Sequence, residues 1–77
     1  MELRIYLVED KRYANGVKYS LVMIEPRNGK KVLMDNHHPK GPHFHLDDSE
    51  FLYEFENEDK LILDFKKLVF QHFGEEI

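Results

Sequence analysis

The sequence predicts an α+β domain: an antiparallel meander of four or five strands with one C-terminal helix packed on one face. Three observations lead there. Turn signals recur at Asn15-Gly16, at Glu25-Pro26-Arg27-Asn28-Gly29 and at Asp47-Asp48-Ser49. The segments between them are rich in β-branched and large apolar residues, or alternate apolar with polar, as a sheet covered on one side requires. From about residue 57 the apolar period changes from two to 3.6, so a single amphipathic helix follows the strands.

Leu3 to Val8 forms the first strand, and Lys11-Arg12-Tyr13-Ala14 is expected to extend it toward Asn15-Gly16. That pair suits a two-residue type I′ turn, whose central positions both need positive φ. Val17 to Ile24 is the second strand. In the next turn Pro26 supplies the fixed φ of a type I turn, and Gly29 takes the left-handed position that restarts the ladder. Lys30 to Asn36 is the third strand, with Val32 and Met34 on one face and Lys31, Leu33 and Asp35 on the other. Pro39, Gly41 and Pro42 interrupt it, because each proline removes a donor and biases its predecessor toward extended geometry.

His43-Phe44-His45-Leu46 alternates again. At a period of two the histidines point outward and Phe44 and Leu46 point inward to be buried. After the turn at Asp47-Asp48-Ser49, Phe51, Tyr53 and Phe55 alternate with Leu52 and Glu54 in a last strand, so strands occupy about residues 2–56. The helix runs from about 57 to 73. Asn57 is its N-cap, and Glu58 and Asp59 suit the positive end of its dipole. Leu61, Ile62, Phe65, Leu68, Val69, His72 and Phe73 form one stripe, and Gly74 is placed to end it. Within that stripe His72 reads as a satisfied core or border histidine. Leu63 and Phe70 lie roughly opposite, seven positions apart, and together suggest a partner or homodimer contact.

Seventy-seven residues make one small domain with a thin core. The chain has no cysteine, hence no disulfide framework and no thiolate nucleophile. No apolar run approaches the roughly 20 residues of a membrane span, and Met1-Glu2-Leu3-Arg4 lacks a signal-peptide pattern, so a cytoplasmic protein is expected. The net charge of −4 argues against a general nucleic-acid binder. Its distribution is uneven. Residues 1–46 carry eight Lys+Arg against five Asp+Glu, a net of +3, and residues 47–77 carry three against ten, a net of −7. The basic half could meet an anion and the acidic half a basic partner.

Function points to residues 35–45, where four of the five histidines lie within nine residues beside Asp35, Asn36 and Lys40. Core packing gives no reason for that composition. Histidine moves its proton near neutral pH and is also the commonest metal ligand. His43 and His45 supply a base and an acid, while Lys40 can stabilise the charge of a phosphorane-like transition state. That set suits cleavage of RNA through its 2′-hydroxyl with no metal and no cofactor. Asp35, Asn36, His37 and Arg27 are the expected orienting or substrate-binding groups. A metal centre is the alternative, with His37 or His38 and Asp35 joining His43 and His45, although zinc needs three or four ligands in fixed geometry. The same residues also read as an ordinary polar loop on a non-enzymatic interaction module.

Asp35-Asn36, then Lys40-Gly41, then His43-x-His45 resembles the Asp-Asn…Gly-Lys-Gly-x-His-x-His signature of the TumE family of toxin–antitoxin toxins. Tyr53-Glu54-Phe55, Leu61 and Asp64-Phe65 are similar to that family's Tyr-x-Phe and Leu-x-x-Asp-Phe run. The resemblance covers roughly residues 17–70, with Pro39 where many relatives carry glycine and Phe44 where a basic residue is expected. It implies a small cytoplasmic toxin encoded beside a helix-turn-helix antitoxin, and it carries over Asp35, Asn36, Lys40, Gly41, His43 and His45. RNA degradation is the usual activity of small toxins with such surfaces.

Overall fold

Strand alternation and turn chemistry build the sheet in the computed structural model, which describes residues 1–13, 15–37 and 40–77. The strands are β1 (Glu2–Glu9), β2 (Val17–Glu25), β3 (Lys30–Asp35), β4 (His43–Leu46) and β5 (Ser49–Leu52), followed by α1 (Glu58–Phe73). They form one sheet in chain order, and each neighbouring pair is antiparallel. This is the expected meander with one C-terminal helix.

The core follows the two periodicities. Val17, Tyr19, Leu21 and Met23 of β2 and Val32 and Met34 of β3 pack against Leu61, Phe65 and Val69 of α1. The helix lies closest to β3, so cover thins toward the sheet edges. On β4, Phe44 and Leu46 face the helix side but are only half-buried, less than their alternation alone suggested. Phe44 stacks on Phe51 of β5, with ring centroids 5.0 Å apart.

Both ends of α1 are anchored. The Asn57 side chain accepts a hydrogen bond from the Lys60 N–H (2.8 Å), and the Gly74 N–H donates to the Phe70 carbonyl (2.8 Å). His72 donates through Nε2 to the Asp47 carboxylate (2.9 Å), which also accepts from the Lys31 N–H (2.9 Å). The β4–β5 turn is thereby tied to both the helix end and the start of β3. These bonds, His72 first, hold the Asp47 carboxyl below its usual value. His72 is thus a satisfied border histidine, and Lys30 Nζ lies 5.8 Å from the centroid of the neighbouring Phe73 ring.

Two strand expectations need correction. The first hairpin is not a two-residue turn. β1 stops at Glu9, the Asp10 N–H donates to the Gly16 carbonyl (2.9 Å), and residues 10–16 form a longer loop. The cause is Asp10, whose carboxylate accepts from both the backbone and the guanidinium of Arg12 and folds the chain locally. Among the described residues of this loop only Gly16 takes positive φ (74°), and buried Tyr13 anchors it; Ala14 lies outside the described residues. At the other end, β5 begins at Ser49 and stops at Leu52, short of the expected residue 56. The Tyr53 N–H still donates to the Pro42 carbonyl (3.2 Å), while the Tyr53 and Phe55 side chains cover the core: Phe55 stacks on Tyr19 at 5.5 Å, and the Tyr53 hydroxyl donates to Asp64 of α1 (2.7 Å).

Candidate functional site

The face turned away from α1 carries the histidines. In β3 it presents Lys31, Leu33 and Asp35, the residues out of step with buried Val32 and Met34. Register then assembles the site: Asp35 pairs with His43, Leu33 with His45, and His45 with Glu50 across the β4–β5 hairpin. Opposed residues of adjacent strands share a face, so three strands bring two imidazoles and two carboxylates together.

His43 is the centre. Its Nδ1 lies 2.7 Å from the Gly41 carbonyl and its Nε2 3.0 Å from Asp35 Oδ1 and 3.8 Å from Glu50 Oε1. Gly41 has φ 77°, which lets the chain turn its carbonyl back onto a ring two residues ahead. A carbonyl only accepts, so Nδ1 carries the hydrogen of that bond. Nε2 then faces carboxylate oxygens, which also only accept when ionised. Such atoms approach to 3.0 Å with a proton or another cation between them. His43 is thereby held between the Gly41 carbonyl and the Asp35 carboxylate.

His45 meets His43 edge-on, with ring centroids 5.1 Å apart. Its Nε2 is 3.3 Å from Glu50 Oε1, and Lys40 Nζ reaches the same oxygen at 2.8 Å. The Lys40 ammonium holds the Glu50 carboxyl below its usual value, against a smaller upward push from burial. One carboxylate oxygen thus collects Lys40, His45 and, at longer range, His43.

Of the residues singled out from sequence, the structure brings Asp35, Lys40, His43 and His45 together. Both histidines lie on the face away from α1, as their alternation predicts, but they differ in exposure. His43 is buried at 6 % exposure, ringed by its own partners, and only His45 is partly open to solvent. Asn36 needs correction. It points to the covered side and is buried, accepting from the Tyr19 N–H (3.0 Å) and donating to the Val17 carbonyl (2.7 Å). It continues the β2–β3 ladder by side chain and does not face the site. Arg27 is excluded by position: it lies in the β2–β3 turn, and β3 carries Asp35 about 16 Å from that end at ~3.3 Å per residue. His37 is exposed and contributes through its backbone, its N–H donating to Asp35 Oδ1 (3.3 Å) and its carbonyl accepting from Gly41 (3.3 Å). The suggested ligand His38, with Pro39, lies outside the described residues.

Glu50 was missed. Its signal was present: a two-residue turn at Asp47-Asp48 sets position 45 opposite position 50, but reading Ser49 as part of the turn hid the pairing. On the outer side of α1, Leu63 and Phe70 are each 52 % exposed. Among the described residues no helix is long and apolar enough to cross a membrane. No family model, curated protein or solved structure matches the chain.

Proposed function

We propose that this chain is the cytoplasmic toxin of a type II toxin–antitoxin pair and that it cleaves RNA by histidine acid–base chemistry, as its resemblance to the TumE family implies. The observation that supports this reading best is the partly open His45 imidazole set against buried His43, with Lys40 bridging to their shared carboxylate Glu50. A base, an acid and a cation within one small patch are the groups that 2′-hydroxyl attack on phosphorus needs.

In the proposed reaction neutral His45 takes the proton of the 2′-hydroxyl. The 2′-oxygen attacks the adjacent phosphorus, the bond to the 5′-oxygen breaks, and protonated His43 supplies the proton that the leaving oxygen takes. Asp35 and Gly41 orient His43 for that role. Lys40, whose side chain is 61 % exposed, swings from Glu50 to the phosphate as negative charge builds there. The proposed acid step requires that this movement open the Glu50 side of buried His43. Lys31 and Lys18 on the same face offer further contacts for the RNA backbone.

The outer side of α1 is the proposed contact for a helix-turn-helix antitoxin or for a second copy in a homodimer, because Leu63 and Phe70 align there. The decisive experiment expresses wild type, His45→Ala and Lys40→Ala in cells and assays the purified chains on RNA with a chelator present. Growth arrest and cleavage are expected to fall by ~10²-fold or more in each variant while the circular dichroism spectrum is kept. Full activity in both variants refutes the reading. Sedimentation and antitoxin pull-down of a Leu63→Glu, Phe70→Glu chain test the contact: binding untouched by both changes removes it.

A further inference from the structure

We propose that His43 Nε2, His45 Nε2 and Glu50 Oε1 bind one divalent transition-metal ion of the zinc class, and that the bound ion silences the site. The binding stands on geometry alone; the silencing rests on the acid–base reading above.

The three ligand atoms lie within 4.8 Å of one another. Glu50 Oε1 is 3.3 Å from His45 Nε2 and 3.8 Å from His43 Nε2. Around a tetrahedral zinc ion with bonds of ~2.1 Å, neighbouring ligands sit about 3.4 Å apart. Small side-chain rotations therefore close the set around an ion. Asp35 Oδ1, 3.0 Å from His43 Nε2, lies outside this set of three and supports it through His43.

Three further features favour a metal. The Gly41 carbonyl, accepting from His43 Nδ1, fixes the tautomer that leaves Nε2 free to coordinate, which is the usual support of a ligating histidine. The acceptors crowded around Nε2 need positive charge between them, and a metal ion supplies it as a proton does. Two imidazoles beside carboxylates select zinc, cobalt or nickel over magnesium or calcium, which prefer all-oxygen sites.

Lys40 is the built-in competitor. Its ammonium sits 2.8 Å from the very oxygen the ion needs, so the ion enters as Lys40 leaves. Once both Nε2 lone pairs are committed to the metal, neither ring can take or give the proton at that nitrogen, and the Lys40 contact to Glu50 is lost as well. Proton-bound and metal-bound forms of one cluster are then mutually exclusive states.

The test titrates the untagged full chain with Zn²⁺ by calorimetry and with Co²⁺ by visible absorption. One ion per chain is expected. His45→Ala and Glu50→Gln should each weaken binding by more than about 100-fold, beyond the roughly 10–100-fold loss typical of a supporting residue. Lys40→Met should tighten it by about tenfold, because a competing cation is gone. A His37→Gln, His38→Gln chain should bind as wild type, which separates this site from capture by the neighbouring histidines. The proposal is overturned by an absence of saturable binding, by binding that survives His45→Ala and Glu50→Gln but not the His37, His38 change, or by a Lys40→Met chain that binds no more tightly. RNA cleavage is followed in the same samples and should stop at saturating Zn²⁺ and return on chelation; cleavage that persists at saturation overturns the silencing. Metal binding without cleavage under any condition defeats the ribonuclease reading and leaves the metal site standing, whereas cleavage without metal binding does the reverse.

Discussion

On the covered face of the sheet Leu21, Val32 and Met34 are fully buried, whereas one residue out of step on the same strands Val22, Leu33 and Asp35 are only half-buried. The strands and their twist are common to both faces; the cover differs. α1 covers one face from water mainly with the apolar surface of Leu61, Phe65 and Val69. On the other face His43 is buried as deeply as some core residues, yet what surrounds it is a carbonyl, two carboxylates and a second imidazole. Burial by a second layer is non-directional and tolerant of chemistry. Burial by hydrogen-bond partners is directional and fails when one partner is removed.

That contrast breaks most visibly in the core. Met34→Ala or Leu21→Ala should lower unfolding free energy by about 2–5 kcal/mol in urea titrations, while Leu33→Ala on the open face should cost clearly less. Equal losses on the two faces would mean that something other than α1 decides burial here.

Asn36 is the polar exception on the covered side. Asn36→Ala leaves the Tyr19 N–H and the Val17 carbonyl without their partner, at a cost of about 1–3 kcal/mol by the same measurement. Asp35→Ala on the open face should cost a similar or smaller amount and also raise solvent access to His43, seen as faster chemical modification of that ring. An unchanged modification rate would show that the Asp35 contact does not close the site.

His45→Ala should change stability by no more than about 0.5 kcal/mol, because the residue is partly open and its carboxylate partner Glu50 is exposed. With its expected loss of activity, that separates the residue's role in the site from any role in the fold.

The smallest effect is electrostatic. The Arg12 side-chain bond holds Asp10 down from 3.8 to about 2. A carboxyl with a depressed folded value stabilises above its unfolded value and loses that contribution as pH falls through the folded one. A thermal midpoint that declines between pH ~4 and ~2, and declines less in Arg12→Gln, is expected; the Arg12 side chain is exposed, so the difference will be small and sensitive to salt.

Much of the architecture was legible from local pattern. Val32 and Met34 against Leu33 and Asp35, the Asn57 cap, the Leu61–Phe65–Val69 stripe and the Gly29 turn all follow from periods and backbone preferences that neighbours in sequence carry. The errors fell where a side chain outside the local pattern took over. Asp10 captured Arg12 and lengthened the first loop, and Phe55 lies on Tyr19 of the core beyond the end of the β5 ladder.

For the site the division is sharper. Chain order and composition alone pointed to residues 35–45, and the period of two set His43 and His45 on the side away from the helix. Only the tertiary structure decided that His43 is closed and His45 open, that Asn36 belongs to the core, that Arg27 lies at the far end of β3 and that Glu50 joins the cluster. The physical reason is range. Alternation is a property of consecutive residues, whereas a hydrogen bond or ion pair depends on which residue of the next strand stands opposite, and that register is set by how many residues each turn consumes.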